Sequence, residues 1–261
     1  MMDVMQELLD VVARLRGPDG CPWDRKQTLK TLKPGLIEEC YEVLDAIDSD
    51  DPAHHREELG DLLLQVVFQA QIRREENAFV FEDVARELVE KLIRRHPHVF
   101  GDQTAESSED VLKHWEAIKA TEKGPGDHSV VDGSPKHLPA LQKAHRVQSR
   151  AARVGFDWPD HNGVFDKIKE ELAEVREAMD ADDADAVEEE LGDLLFSVVN
   201  LCRYRNLHAE DVLQAAVEKF VERFRKMEFS LRDQGKPLQS CTLEEMDAEW
   251  NAAKLALIEK L

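Results

Sequence analysis

The chain has 261 residues, and its 55 acidic residues against 34 basic ones give a formal net charge of −21 at pH 7. A surface this acidic repels phosphate backbones and anionic lipids, which argues against a general binder of nucleic-acid polymers or of membrane surfaces. Hydrophobic residues make up 42% of the chain, enough for a folded core, so wholesale disorder is excluded.

The predicted elements of the first half, taken in chain order, are helices. Apolar residues at i, i+3, i+4 and i+7 predict two amphipathic helices, one through Leu8, Val11, Val12 and Leu15 and one through Leu36, Ile37, Tyr41, Leu44 and Ile47. Residues 59–72 are apolar on nearly every side, as expected for a helix at the centre of a bundle. Segments 81–95 and 108–119 complete the set. With no convincing strand, we predict an all-α fold without significant sheet.

The second half repeats the first. The sequence Glu-Leu-Gly-Asp-Leu-Leu occurs at 58–63 and again 132 positions later at 190–195. The segment 123–136, rich in glycine and proline, predicts an exposed linker between the copies. We therefore predict two tandem helical domains, 1–122 and 137–261, joined by the linker 123–136.

Each copy contains two acidic pairs with i, i+3 spacing on successive predicted helices. Residues three apart share a helix face, so each pair directs two carboxylates the same way. A hard divalent cation offsets the repulsion between them, and Mg²⁺ suits a nest of oxygen ligands, with Mn²⁺ as the alternative. The metal-ligand candidates are Glu171, Glu174, Glu190 and Asp193, and in the N-terminal copy Glu39, Glu42, Glu58 and Asp61.

Two other interpretations of these carboxylates compete with a magnesium site. In a chain with 34% charged residues, a single acidic pair usually lies on a solvated helix face. Two pairs that recur in both copies, with the same Leu-Gly-Asp-Leu-Leu sequence around the second pair, favour a metal site instead. A di-iron carboxylate bundle needs Glu-x-x-His on two helices, and no histidine here stands three residues after a glutamate. Gly60 and Gly192 inside the second acidic pairs predict a close approach of helices beside the site.

Basic and aromatic residues at helical spacing predict a place for an anionic ligand. Lys219 and Arg223 lie four residues apart, and so do Trp250 and Lys254. Lysine and arginine suit a phosphate tail, and an indole ring can stack on a base, although tryptophan is as often a core residue. The N-terminal copy repeats the set as Lys91, Arg95, Trp115 and Lys119, whereas Trp23 and Trp158 are expected to be packing residues.

These motifs resemble the MazG-type nucleoside triphosphate pyrophosphohydrolases. The resemblance rests on the repeated acidic pairs, on Gly20–Asp24, on the Arg-His-Pro-His-Val-Phe segment 95–100 and on Gly155–Trp158. It implies an all-α homodimer with Mg²⁺-dependent hydrolysis of NTPs and dNTPs, ATP included, to a monophosphate and pyrophosphate.

The resemblance also implies roles for individual residues. Glu171, Glu174, Glu190 and Asp193 would be catalytic metal ligands. Substrate contacts would come from Lys167, Glu189, Lys219, Arg223, Trp250 and Lys254. The C-terminal copy would be the main catalytic one. A pyrophosphohydrolase restricted to dUTP or a phosphoribosyl nucleotide, and a non-enzymatic acidic helical adaptor, remain the alternatives.

The four cysteines lie far apart and form no C-x-x-C pair, which predicts reduced thiols. The N-terminal residues lack the basic and apolar stretches of a signal peptide, and no apolar run is long enough to cross a bilayer. We therefore expect a cytoplasmic protein without a membrane partner.

Overall fold

The protein is described by a computed structural model, which covers residues 4–105, 107, 110, 111, 114, 115, 118 and 129–258. The chain divides into two compact units, Met1–Gly126 and Asp127–Leu261. Within the described residues the regular structure is helical and no strand occurs, so the all-α prediction is confirmed. No helix in these ranges combines the length and the apolar content that a membrane span needs.

The first unit begins with a helical series whose starts are fixed by proline and aspartate. The helices are α1 Val4–Arg16, α2 Pro22–Lys26, α3 Lys33–Asp48, α4 Pro52–Glu75, α5 Phe81–Arg95 and α6 Pro97–Phe100. Proline stands in the first turn of α2, α3, α4 and α6, where its missing N–H costs no helical hydrogen bond. The Asp51 carboxylate caps α4 by accepting from the backbone N–H groups of Ala53 and His54.

The core of the first unit lies between α1 and the second half of α4. It consists of Val12, Leu32, Val67, Phe68 and Ile72, with Leu8, Leu63 and Phe81 among the partly buried residues packed against them. The first predicted stripe is therefore confirmed at Leu8 and Val12 but not at Val11 and Leu15, which are exposed. The apolar α4 segment is confirmed in its second half, at Val67, Phe68 and Ile72. Leu59 and Val66, by contrast, are exposed, so α4 is not buried on every side.

The second predicted stripe does not face the core of its unit. The α3 side chains of Ile37, Tyr41, Leu44 and Ile47 are all exposed. Helix α3 packs on α4 instead through the face that carries Ala46 and Glu39, because Ala46 is buried and Glu39 contacts the α4 residue Gln65. A regular apolar stripe predicted the helix correctly but not the partner that covers the stripe.

The second unit repeats the helical arrangement of the first. They are α7 Ala140–Arg153, α8 His161–Asp180, α9 Ala184–Tyr204, α10 Ala209–Asp233 and α11 Leu243–Ile258, with a 3-10 turn at Leu238–Ser240. Helices α8 and α9 make the most extensive packing contact in this unit. Asp160 caps α8 and Asp183 caps α9 through their side-chain oxygens.

The two glycines inside the acidic motifs do not mark a close helix contact. A Cβ atom placed on Gly60 or on Gly192 meets no described atom within 4 Å. The expectation of a close approach at these positions is therefore wrong for each unit by itself. The physical reason is that both glycines lie on the outward side of their helices, away from the α3–α4 and α8–α9 contacts.

Candidate active site

The carboxylates of the second unit lie on the paired helices α8 and α9. Oxygen atoms of Glu171, Glu190 and Asp193 lie within 4.8 Å of one another. Glu174 belongs to an overlapping group with Glu170 and Glu171, within the same distance limit. The i, i+3 spacing on each helix and the α8–α9 packing thus bring the four predicted residues together.

Glu171 is the buried member of this cluster. It is only 3% exposed, and its Oε2 atom has no hydrogen-bond partner among the described residues. Its Oε1 atom lies 2.6 Å from the Lys167 Nζ atom, which is also 2.6 Å from Glu170 Oε1. A buried carboxylate oxygen without a donor is expensive in free energy unless a cation or a proton meets it.

The electrostatic field of the cluster perturbs its titrating groups. Desolvation raises the pKa of Glu190, and the negative charges of Glu174 and Glu171 raise it further. Hydrogen bonds to Glu170 and Glu171 raise the pKa of Lys167, so this lysine stays charged. The oxygen-only donor set, the crowded negative charge and the orphaned Glu171 oxygen fit a hard divalent cation such as Mg²⁺ or Mn²⁺.

The first unit has a related but different cluster. Oxygens of Glu39, Glu58 and Asp61 also lie within 4.8 Å of one another. Desolvation raises the pKa of Glu39, a hydrogen bond from Gln65 opposes the rise, and the charges of Asp61 and Glu42 add to it. Gln65 Nε2 lies 3.4 Å from Glu39 Oε1, and the His54 ring approaches Glu58 at 3.1 Å, so protein groups already contact two of these carboxylates.

The basic and aromatic candidates of the second unit lie on α10 and α11. Trp250 packs on the Phe220 ring with centroids 5.1 Å apart, and the Nε atom of Arg223 is buried without a hydrogen-bond partner among the described residues. Lys219, Lys254 and the α9 residue Glu189 are exposed. Within the described ranges, none of the α10 and α11 candidates forms a hydrogen bond or an ion pair with the four carboxylates, so their role stays a prediction.

The corresponding candidates of the first unit are only partly described. The Arg95 guanidinium lies 5.8 Å from the centre of the Trp115 ring, and Lys91 is exposed. Lys119 lies outside the described residues. Of this predicted set, the structure thus places the Arg95 cation near the Trp115 ring.

A cavity of about 730 Å³ opens beside the carboxylates of the second unit. Lys167, Glu171 and Asp193 line one part of it, and the loop between α7 and α8, with Phe156 and Trp158, lines another. Trp158, expected as a packing residue, does contact Gly163, but it is 41% exposed and also lines the cavity.

Sequence reasoning missed most of the cavity wall. The wall includes Gln148, Asn200 and Arg203. None of these residues belongs to a sequence motif with a recognisable chemical role. The one usable signal was the Gly155–Trp158 segment, which places two aromatic residues directly before the acidic helix α8.

Comparison with known proteins gives a consistent result. Residues 27–100 and 160–227 match the family described as the MazG nucleotide pyrophosphohydrolase domain. A Thermotoga maritima protein named nucleoside triphosphate pyrophosphohydrolase/pyrophosphatase MazG is 52% identical over 251 residues, 96% of each chain. An Escherichia coli protein named nucleoside triphosphate pyrophosphohydrolase is 48% identical over 257 residues, 97% of this chain and 98% of that one.

Among solved structures, a mazG-related protein from Thermotoga maritima is 31% identical and superposes with a TM-score of 0.39. The match covers 44% of this chain and 98% of that one.

Proposed function

Since this chain belongs to the MazG nucleotide pyrophosphohydrolase family, we propose that its second unit hydrolyses NTPs and dNTPs to a monophosphate and pyrophosphate with the help of Mg²⁺. Family membership gives the reaction class, a nucleoside triphosphate pyrophosphohydrolase, and argues against the non-enzymatic adaptor. The observation that supports this site is the cluster of Glu171, Glu190 and Asp193 with its buried, unpartnered Glu171 oxygen.

The reaction is a displacement at the α-phosphorus. A water oxygen forms a bond to the α-phosphorus while the bond to the α–β bridging oxygen breaks, and pyrophosphate leaves with that oxygen. A carboxylate of the cluster accepts a proton from the attacking water, because a triphosphate bound at the cluster holds its α-phosphorus close to these carboxylates. Bound Mg²⁺ supplies neutralisation of the triphosphate charge and a lowered pKa for coordinated water.

The roles of individual residues follow from charge and burial. Glu171, Glu174, Glu190 and Asp193 hold the cation, and Lys167 keeps Glu171 oriented through its 2.6 Å contact. Contacts to the phosphates and the rest of the nucleotide are assigned to Glu189, Lys219, Arg223, Trp250 and Lys254. Arg223 offers a buried Nε–H without an acceptor among the described residues, the kind of donor that a phosphate oxygen uses well.

The first unit is proposed to be the weaker site. Gln65 and His54 contact Glu39 and Glu58 there, so two carboxylates are partly satisfied by the protein itself. In the second unit one buried carboxylate oxygen has no such partner within the described ranges. Cation binding should therefore relieve a larger penalty in the second unit.

The chain is further proposed to form a homodimer in the cytoplasm. Apolar side chains on α3 and α9, such as Leu44, Leu191 and Leu195, are exposed in the separate units. Exposed apolar side chains of this kind are typical of a protein–protein interface. All four cysteines are free thiols, which suits a reducing compartment.

The decisive test is to identify the products for each NTP and dNTP with Mg²⁺. Wild-type protein should release pyrophosphate, not single phosphate, together with the monophosphate. Asp193→Asn should lower turnover by roughly 100-fold or more, because a cation ligand contributes several kcal/mol to a charged transition state. Chelation with EDTA should abolish turnover, and Mn²⁺ should restore it as a substitute for Mg²⁺.

A matched control is Asp166→Asn on the same unit, since Asp166 is exposed and pairs only with exposed Lys169 among the described residues. This variant should keep wild-type turnover. If Asp193→Asn also keeps it while its helical circular dichroism is normal, the assigned site is wrong. Activity with dUTP or a phosphoribosyl nucleotide alone would instead favour the narrower-substrate alternative.

A further inference from the structure

Part of the cavity wall in the second unit comes from a short turn that precedes α7. Residues 129–133 form this turn, the strap, and Val131 lines the cavity together with residues of the helices. Val131 is half-buried, whereas its neighbour Val130 is 53% exposed. The strap therefore contributes one residue to the wall of the cavity that Glu171 and Asp193 also line.

The strap is a hydrogen-bonded turn with little apolar burial of its own. The Ser129 N–H donates to Asp132 Oδ2 at 2.9 Å, and the Asp132 N–H donates to the Ser129 carbonyl at 3.1 Å. Gly133 then takes a φ of +84°, a left-handed conformation that favours glycine. Every strap residue except Val131 is exposed. A segment with so few buried apolar contacts has low local stability, so polar contacts to the rest of the unit decide where it lies.

Arg150 of α7 makes such a polar contact. Its Nη1 atom donates to the backbone carbonyl of Val131 at 3.1 Å and also to the carbonyl of Asp132. Arg150 is half-buried, whereas the other lysine and arginine residues of α7 are exposed. A hydrogen bond from a charged guanidinium is stronger than one between neutral groups. One arginine thus holds the backbone on which the cavity-lining valine stands.

The first unit has no such arginine at the corresponding position. The offset of 135 residues that relates Trp23 to Trp158 relates Leu15 to Arg150. Leu15 is 38% exposed, and its side chain has no hydrogen-bond donor. Helix α1 therefore forms without a contact of this kind, so the helical fold alone does not account for the arginine. The contact belongs to the unit that carries the proposed active site.

We propose that Arg150 is a positioning residue of this active site, which holds the strap, and with it Val131, as a fixed wall of the cavity. The inference rests on the proposed function, because a substrate that reacts at Glu171 and Asp193 lies next to this wall. A wall that is already in place spares the substrate the entropy cost of ordering it. Without the Arg150 contact the strap is free to move, so substrate binding weakens more than the chemical step at the carboxylates.

The test is Arg150→Met, which removes the donors and keeps an unbranched side chain. We expect KM for Mg²⁺-ATP to rise roughly 10-fold, about the effect of one charge-assisted hydrogen bond, and kcat to change much less. Hydrogen–deuterium exchange should increase in the peptide that contains the strap and stay unchanged in α8 and α9. Arg150→Lys, which keeps a charged donor, should recover part of the loss in KM. Arg146→Met, at an exposed arginine of the same helix, is the matched control and should keep the wild-type KM and exchange.

A double-mutant cycle separates positioning from a general loss of stability. Val131→Ala shortens the wall residue and should raise KM as well. Because Arg150 acts through Val131, the double variant should have a KM no higher than that of the more affected single variant. Two independent contributions would instead multiply in KM, and that result would contradict the proposed role.

The outcomes also separate this inference from the proposed function. If wild-type protein releases pyrophosphate while Arg150→Met keeps the wild-type KM, the role of Arg150 is wrong and the proposed function stands. If wild-type protein releases no pyrophosphate from any NTP, the proposed function itself fails. Should Arg150→Met not fold, Val131→Ala takes its place, and an unchanged KM in that variant would overturn the inference in the same way.

Discussion

Single residues set the difference between the two carboxylate clusters. The position 132 residues before Lys167 is Gly35, and a Cβ there would lie 3.3 Å from the Gln65 Nε2 atom. Glycine therefore leaves room for the Gln65 amide to reach Glu39, whereas Lys167 meets Glu171 with a full charge. Two clusters built from the same types of acidic residue thus differ in what surrounds Glu39 and Glu171.

Another residue-scale contact gives a prediction for stability. The side chain of Arg16 is only 6% exposed, and its Nε and Nη2 atoms donate to the two oxygens of Glu75 at 2.8 and 2.7 Å. These hydrogen bonds hold the pKa of Glu75 below its usual value. The ionised Glu75 carboxylate therefore contributes to the free energy of unfolding above about pH 4.3. This contribution is lost as the pH falls through the pKa of Glu75 in the folded state.

We expect Glu75→Gln to lower the free energy of unfolding by about 1 kcal/mol at pH 7, a value reduced for the partial exposure of Glu75. Urea denaturation at pH 7 and at pH 3 measures this, and the difference from wild type should shrink at pH 3. Glu76→Gln is the control, because Glu76 pairs with Arg73 at the exposed surface and should change stability little. Equal losses in both variants would contradict the argument.

At the scale of elements, α7 meets the start of α10 through two histidines. The rings of His145 and His208 stack with centroids 5.0 Å apart. Desolvation lowers the pKa of His145, and the charges of His208 and Arg203 lower it further. The His145 Nδ1 atom is buried and has no hydrogen-bond partner among the described residues, so the folded unit favours the neutral ring.

This helix contact should weaken in acid. In the unfolded chain His145 binds a proton near pH 6.5, whereas in the folded unit it stays neutral until the pH reaches its lowered pKa. The free energy of unfolding therefore decreases as the pH is lowered between those two values. We expect wild-type protein to lose more stability between pH 7.5 and 5.5 than His145→Gln, measured by thermal unfolding. His137→Gln, at an exposed loop position, should follow the wild-type profile. An identical profile for His145→Gln would contradict the lowered pKa.

At the scale of the whole molecule, each unit leaves apolar helix faces uncovered when it is taken by itself. On α3 these are Ile37, Tyr41, Leu44 and Ile47, and on α8 and α9 they include Leu172, Met179, Leu191 and Leu195. Several exposed apolar side chains on the same helices are typical of an interface. The proposed homodimer would cover such faces.

The homodimer predicts a mass of two chains by light scattering coupled to size exclusion. Leu44→Lys should reduce the mass to that of one chain, because a charge buried in an apolar interface costs several kcal/mol. Val130→Lys, also at an exposed apolar residue but in a loop, should leave the mass unchanged. A wild-type protein that elutes as one chain would contradict the proposal.

The sequence by itself determined the helices, their doubling and the acidic pairs. The helices and the acidic pairs are local properties, because the i, i+3 spacing that puts Glu171 beside Glu174 acts within one helix turn. The doubling is visible in the sequence because the same motif recurs 132 positions later. The resemblance of those pairs to a known family then predicted the reaction class, which family membership bears out.

Only the tertiary structure decided which surfaces meet. Helix periodicity does not show which element packs against a helix face. The stripe through Leu44 predicted a packed face, but its residues are exposed. Gly60 predicted a close helix contact, but no described atom lies within 4 Å of a Cβ placed there. The cavity beside Glu171 also depends on residues from three helices and two loop segments, including Gln148 and Asn200. No single stretch of sequence contains that pattern, because packing between distant segments creates it.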